Sequence, residues 1–297
     1  VKWIDTTFWK AILLNNLMFT NLITSPKISS TESEYPNSLQ SARKLFEAFT
    51  LNNIRYCHWK SNLRLENGLL GKTDLDLLVD PAQADLLRRI FAEHNIKLVL
   101  APAGKRYPGI EDYLGFDSES GKLFHLHVHY LLVLGEQFVK NYHIPLEQQF
   151  LNSTISVGGW INIPTPELEL SILCLRALLK YRDRDALKDV LSIRSSGLPS
   201  HILNELAWLG RQTAMDRMAQ VLSELSDILP ASAILEFLET ISSNPRNGWK
   251  LLQLRGQVRK ALSRYQRHNR VEASLHYFRE LWRRQALPRF RPARGMT

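Results

Sequence analysis

The sequence predicts an α+β fold, a mixed α/β-type sheet with flanking helices, followed by an all-helical C-terminal region. Two observations carry this prediction. Up to about residue 160, short apolar runs bounded by turn residues alternate with amphipathic stretches, and beyond Pro166 the apolar spacing becomes helical throughout. A hydrophobic share of 44% and a charged share of 23% are ordinary for a globular chain, and 297 residues suffice for one large domain or two of usual size.

Residues 1–37 are predicted to be a leader and linker. Within it, FWKAILLNNLMFTNLI (Phe8 to Ile23) is broken by Lys10, Asn15, Asn16 and Asn21, too polar for a span of about 20 apolar residues. No small-residue cleavage site follows, so it reads as an amphipathic arm, with peripheral membrane contact as the alternative. The chain opens on Val1, which fits a non-standard start or a fragment boundary. SPKISSTESEYPNS then reads as linker.

A first domain is expected over 38–160. QSARKLFEAFTLNN places Ala42, Leu45, Phe46 and Phe49 on one helical face, ending near Thr50. IRYCHW (Ile54 to Trp59) reads as a short strand, and LDLLV (Leu75 to Val79) as a buried one closed by Asp80-Pro81. AQADLLRRIFAEHN is an amphipathic helix, and KLVL (Lys97 to Leu100) a short strand. After a loop containing Gly and Pro, LFHLHVHYLLVL (Leu123 to Leu134) reads as one long alternating strand. A helical domain is expected over 161–248, opening with Thr165 as N-cap, Pro166 at the first helical position, and Glu167 and Glu169 in the first turn. Residues 249–297 form a basic tail, predicted as one long helix from about Trp249 to Gln285.

The formal charge of +9 belongs to that tail: Lys250 to Thr297 holds 13 Lys/Arg against Glu272 and Glu280, leaving 25 basic and 27 acidic residues elsewhere. Cys57 and Cys174 lie far apart, which argues against a disulfide framework or a Cys-based zinc site and for a reducing, cytoplasmic setting.

GKTDLDLLVD (Gly71 to Asp80) supports two incompatible chemistries. GKT ends a phosphate-binding P-loop, but that motif needs a glycine where Glu66 stands, and a helix afterwards rather than DLDLLV. The P-loop fails on both counts. On a strand, however, Asp74 and Asp76 point to one side, where two carboxylates can share divalent ions for phosphoryl or nucleotidyl transfer. A solvent-facing strand edge remains the bland account of D-x-D. Upstream, IRYCHW ends in Trp59-Lys60-Ser61-Asn62, and Ser61 precedes Asp74 by 13 residues.

That order and spacing resemble the polymerase-β-like nucleotidyltransferases, which place a Gly-Ser turn about a dozen residues before D-x-D; here Lys-Ser-Asn replaces Gly-Ser. YCHWKSN, GKTDLDLLVD, the loop YLGFDSESGKL and HLHVHYLLVLGE together resemble, over about residues 38–185, an uncharacterised bacterial nucleotidyltransferase-like domain. That domain is often fused to a C-terminal thymidylate-kinase-like ATPase and occurs in polysaccharide or natural-product gene clusters. The resemblance implies Mg²⁺ (or Mn²⁺) at Asp74 and Asp76, and a nucleoside triphosphate contacted by Lys60, Ser61 and Asn62, with Lys72 as a further contact or an ordinary turn lysine. It implies an unidentified hydroxyl acceptor, a saccharide or small metabolite, and a thymidylate-kinase-like domain or protein as partner. The chain would then stop near where such a kinase begins.

Catalytic members carry a third acid on a later strand, where this chain has His125, His127 and His129 on one face. One of them, His127 as catalytic group or His129 as metal ligand, would stand in for that carboxylate. The alternatives are a separate zinc site completed by Glu136 or Asp117, and a hydrogen-bonded polar sheet face without chemistry. A catalytically degenerate nucleotide-binding or regulatory module serving a kinase is the alternative to the enzyme. The tail arginines, interspersed with Leu254, Leu262, Tyr265, Leu275, Phe278 and Trp282, suit an anionic membrane surface, nucleic acid, or a helix whose apolar stripe packs inward. Nucleic acid is disfavoured by the slightly acidic remainder.

Overall fold

The structure, a computed structural model, describes residues 35–100, 106–136, 139–180 and 198–283. The predicted amphipathic arm, most of the linker, the segment 181–197 and the tail from Arg284 onward lie outside the described residues. A mixed sheet with flanking helices is followed by a helical C-terminal region, as the periodicities predict.

Helix α1 (Gln40–Leu51) buries Ala42, Leu45, Phe46 and Phe49, the face its spacing defines. Strands β1 (Tyr56–His58) and β2 (Leu75–Val79) flank a 3-10 turn at Asn62–Arg64 and the short helix α2 (Leu65–Leu69). Helix α3 (Ala84–Glu93) leads to β3 (Lys97–Val99), β4 (Ile110–Asp117) and β5 (Lys122–His129). These five strands lie in the order β1-β2-β5-β4-β3, with β2 and β5 parallel and the other neighbours antiparallel. Because side chains alternate, Leu75, Leu77, Val79, Leu126 and Val128 face one side. They pack with α1 and α3 in one apolar core, which Val157, Ile161 and Ile163 also enter. Those three come from a hairpin, β8 (Thr154–Val157) and β9 (Ile161–Pro164), that the sequence reading did not anticipate.

Three predicted elements are corrected. YLGFDSESGKL is not a loop, since Ile110–Asp117 is a full strand paired along its length with β5. The predicted strand Leu123 to Leu134 splits: β5 ends at His129, and Val133–Leu134 (β6) pairs with Tyr142–His143 (β7). The chain leaves the sheet there because Leu132 and Leu134 are drawn into the core of the helical region, with Leu132 N donating to Glu147 Oε1 of helix α4 (Glu147–Asn152) at 2.8 Å. The tail, finally, is not one helix.

Helix α5 (Pro166–Lys180) is buried at every residue from Glu167 to Leu179. Around it pack α6 (Ser200–Gln212), α7 (Met215–Glu224), α8 (Ala231–Ser243) and α9 (Gly248–Ala261). The far side of the sheet joins this core through Cys57, Trp59 and Leu78. The tail breaks after α9 because Asn141 pins it: its carbonyl accepts from Arg267 N at 2.8 Å, its side-chain oxygen from His268 N at 2.8 Å, and its Nδ2 donates to His268 O at 2.9 Å. Asn269 then caps a new helix, α10 (Arg270–Leu281), in a reciprocal box with Glu272. Leu254 and Leu262 pack inward, whereas Leu275, Phe278 and Trp282 do not. No helix among the described residues is long and apolar enough to cross a membrane.

Candidate functional site

The sheet's second face turns polar where the helical region stops covering it. The register sets Asp76 beside His127 on β5, and Asp112 on β4 beside the same histidine from the other side. Period-two alternation therefore puts Asp74, Asp76, His125, His127, His129 and Asp112 on one face of three adjacent strands. Two imidazoles cross-link the three carboxylates. His125 reaches Asp74 with Nδ1 at 2.8 Å and Asp112 with Nε2 at 3.2 Å. His127 donates from Nδ1 to Asp76 Oδ1 at 2.9 Å, leaving Nε2 towards Asp112 at 3.8 Å. His129, fully buried, lies edge-on to Trp59 with its Nε2 3.8 Å from Asp76 Oδ1 and its Nδ1 without a hydrogen-bond partner.

Electrostatics divide these groups. Hydrogen bonding to Asp112, and then to Asp74, outweighs burial and raises His125 to about 9, so it is an imidazolium at neutral pH. Burial drives His129 well below the ordinary imidazole range and keeps it neutral. Burial also pushes the Asp76 carboxyl up, but the Lys60 ammonium and the two histidines overcome it and hold Asp76 well below the usual carboxylate range.

Lys60 leaves the end of β1 and places Nζ 2.7 Å from Asp76 Oδ1 and 4.9 Å from the centre of the Trp59 ring. Three further cations converge here that sequence reasoning missed. Burial, reinforced by Lys60, pushes Lys140 down to about 8 while Asp76 and Asp112 oppose the shift. Lys180, on the rim at the end of α5, is also pushed down to about 8 by the protein volume around its ammonium, then by Arg176 and Lys60. Arg176 lies over the other side of the cluster, its guanidinium 5.8 Å from the Trp59 ring and 3.9 Å from Glu205. A cavity of about 690 Å³ opens beside this cluster, walled by Asp112, His127 and Lys140 together with Val99, Tyr107 and Ile110.

The other predicted residues fall elsewhere. Ser61 takes up the left-handed conformation, φ 60°, that the missing glycine would have supplied, and its Oγ is 3.5 Å from Glu205 of α6. Asn62 is buried with its polar atoms engaged: the backbone N and Nδ2 donate to Glu169 at 3.0 and 2.7 Å, and Oδ1 meets His58 Nδ1 at 2.6 Å. Glu169, pushed up to about 7 by burial against those two donors, is thus a staple between α5 and the turn after β1. Lys72 is exposed in the turn before β2. Neither acid considered for a zinc site joins the histidines, since Glu136 pairs with Arg255, and Asp117 accepts from Ser41 N at 2.8 Å and Ser120 Oγ at 2.6 Å.

Asp76, His127 and His129 each offer a ligand atom, all within 4.8 Å of one another. One carboxylate with two imidazoles suits a borderline ion such as Fe²⁺, Co²⁺ or Zn²⁺ and holds Mn²⁺ more weakly. Mg²⁺ prefers oxygen, of which this trio offers a single carboxylate, and Asp74 on the same face is tied to His125 at 2.8 Å. Asp112 carried little signal, because IEDYLGFD does not alternate in polarity and its strand is set by pairing with β5. Lys140, Arg176 and Lys180 carry no local signal; α5 brings Arg176 and Lys180, and the connection between β6 and β7 brings Lys140. In comparisons with known proteins, the chain matches no family model, no curated protein and no solved structure.

Proposed function

We propose that this protein is a divalent-cation-dependent nucleotidyltransferase of the polymerase-β-like type, transferring a nucleoside monophosphate from a triphosphate to a hydroxyl acceptor. The observation that carries the proposal is the meeting of three aspartates on one open sheet face with four cations, Lys60, Lys140, Arg176 and Lys180, beside a cavity of about 690 Å³. Carboxylates alone would repel a triphosphate, and cations alone would bind it without chemistry. Together they suit an anion that arrives with a metal ion, and the cavity is of a size usual for small-molecule sites.

In this mechanism Lys140, Lys180 and Arg176 hold the β- and γ-phosphates, and Asp74 and Asp76 hold the ion. When bound there, Mg²⁺ supplies neutralisation of the phosphate oxygens as charge shifts to the leaving group. The acceptor lies in the cavity with its hydroxyl at His127 Nε2, the ring nitrogen that remains when Nδ1–H donates to Asp76. The hydroxyl oxygen attacks the α-phosphorus and gives its proton to His127. The bond to the β-phosphate oxygen breaks, and pyrophosphate leaves. A saccharide or other small metabolite is the acceptor class proposed, and a thymidylate-kinase-like protein or domain the partner.

One observation favours a second reading, a catalytically silent nucleotide-binding module: the Lys60 ammonium already sits where an ion would meet Asp76, at 2.7 Å. Calorimetric titration of ATP, GTP, CTP and UTP with and without Mg²⁺ separates the two, using wild type, Asp74→Asn/Asp76→Asn and Lys140→Ala/Lys180→Ala. The enzyme gives Mg²⁺-dependent binding that the aspartate variant loses, with pyrophosphate release once an acceptor is supplied. Binding independent of metal and of Asp74 and Asp76, but lost in the lysine variant, supports the silent module. Absence of binding for every triphosphate removes both.

A further inference from the structure

Lys140 enters the cavity from a strained backbone. It lies in the connection between β6 and β7 with φ 43°, in the left-handed region. Asn53 and Asn95 also adopt that region, and asparagine tolerates it. A lysine does not, because its Cβ crowds the backbone there. Such a conformation persists only where the surrounding structure over-determines it, and it gathers at functional sites.

Here α9 and the segment that follows it hold the connection on both sides of Lys140. Before it, the Glu136 carbonyl accepts from Val139 N at 3.2 Å and Lys140 N at 3.0 Å, and the Glu136 carboxylate pairs with Arg255 of α9. After it, Asn141 is buried, with its backbone carbonyl, side-chain oxygen and Nδ2 all bonded to Arg267 or His268. Tyr142 forms a β-bridge to Gln266, whose Nε2 donates to the Tyr142 hydroxyl at 3.1 Å. At Gly135 a Cβ would stand 2.9 Å from Asn141 N, so the connection closes tightly on itself. The Lys140 ammonium is thereby set 4.7 Å from the centre of the Tyr107 ring, on the cavity wall that also carries Asp112 and His127.

We infer that the segment Gln266 to His268, acting through Asn141 and Tyr142, and Arg255, acting through Glu136, position Lys140 for the anionic end of the substrate. Asn141 is thus a positioning residue, which fixes the neighbour that touches substrate without touching it itself. Two features point to Lys140 rather than to simple anchorage of the tail. The clamps lie on both sides of the strained lysine, and the strained lysine is the one whose side chain enters the cavity. The inference deepens the nucleotidyltransferase reading and rests on it for the identity of the anion as a triphosphate. Burial holds Lys140 down to about 8, reinforced by Lys60 and Lys180 and opposed by Asp76 and Asp112, so its titration reports its placement.

The test is competitive acetylation of the full chain by limiting acetic anhydride from neutral to alkaline pH, with Lys140 followed by peptide mass spectrometry. Wild type is expected to give a midpoint of about 8. Asn141→Ala, which removes both side-chain bonds to His268, is expected to raise it towards the ordinary lysine value of about 10.4. Gln266→Ala is milder, removing one bond to Tyr142, and is expected to move the profile the same way by less. Calorimetric titration of ATP with Mg²⁺ is expected to show about 3- to 10-fold weaker binding in Asn141→Ala, because the loosened side chain must then be ordered on binding. Profiles of both variants that coincide with wild type overturn the inference, as does a wild-type midpoint at the ordinary lysine value. An equal shift in Phe49→Leu, a change in the opposite core, would make the effect one of stability alone and overturn it too. Absence of triphosphate binding by wild type removes the nucleotidyltransferase reading and the identity of the anion, while the acetylation profiles still decide whether Asn141 positions Lys140.

Discussion

His125 stands between two carboxylates and titrates at about 9, above the ordinary imidazole range. A raised histidine contributes stability that is complete below its unfolded value, about 6.5, and lost as pH rises through about 9. Urea midpoints measured from neutral to alkaline pH should therefore fall across that window, and His125→Asn should flatten the fall. Lys60 is opposite in kind, since its ammonium occupies Asp76. Lys60→Met is expected to raise Mn²⁺ affinity at Asp76, His127 and His129 about tenfold or more by removing a competing charge, read by electron paramagnetic resonance of free Mn²⁺. The same change should reduce stability by about 3 kcal/mol, because it leaves a largely buried carboxylate short of its partner. At Ser61, φ 60° strains a residue with a Cβ, and Ser61→Gly should stabilise by about 1 kcal/mol in urea unfolding. The shared face of Asp74, Asp76 and the three histidines was legible because strand alternation needs only local spacing. Asp112 was missed for a physical reason: its strand carries Glu111, Gly115 and two aspartates, composition that propensity assigns to loops, and the pairing to β5 overrides it.

Among the elements, β4 carries the sharpest packing constraint. A Cβ added at Gly115 would lie 2.2 Å from Phe124 Cζ, a ring buried in the core beneath the sheet. Gly115→Ala must displace that ring and is expected to lose about 1–3 kcal/mol, measured by urea unfolding. The strand is thus held by a contact that its own sequence does not announce. Where an element was fixed by its own periodicity, as with α1 or the run Leu75–Val79, its predicted limits agree with the structure to within a residue or two. Where a distant partner decided the outcome, they did not. The break between α9 and α10 depends on Asn141, more than a hundred residues upstream, and the early end of β5 depends on Glu147 capturing the backbone at Leu132. An apolar run pulled into a different core looks, in sequence, like a longer strand.

Over the whole molecule, the two apolar cores meet across β1 and β2. Cys57 and Leu78 face the helices, while Tyr56, Leu77 and Val79, beside them on the same strands, face α1 and α3. The open part of the second sheet face holds the aspartates and histidines; Arg176 and Lys180 reach it from α5, and Lys140 from the connection between β6 and β7. Urea unfolding followed by tryptophan fluorescence and by circular dichroism should accordingly give coincident single transitions; a separate early loss of helical signal would contradict the shared core. A chain ending at residue 164 should be aggregation-prone, since it exposes Cys57, Trp59, Leu78, Leu132 and Leu134 at once. Recombination meets the same limit. A crossover near residue 160, where the composition changes, would separate two surfaces shaped against each other, so the sheet and α5 are inherited together or not at all.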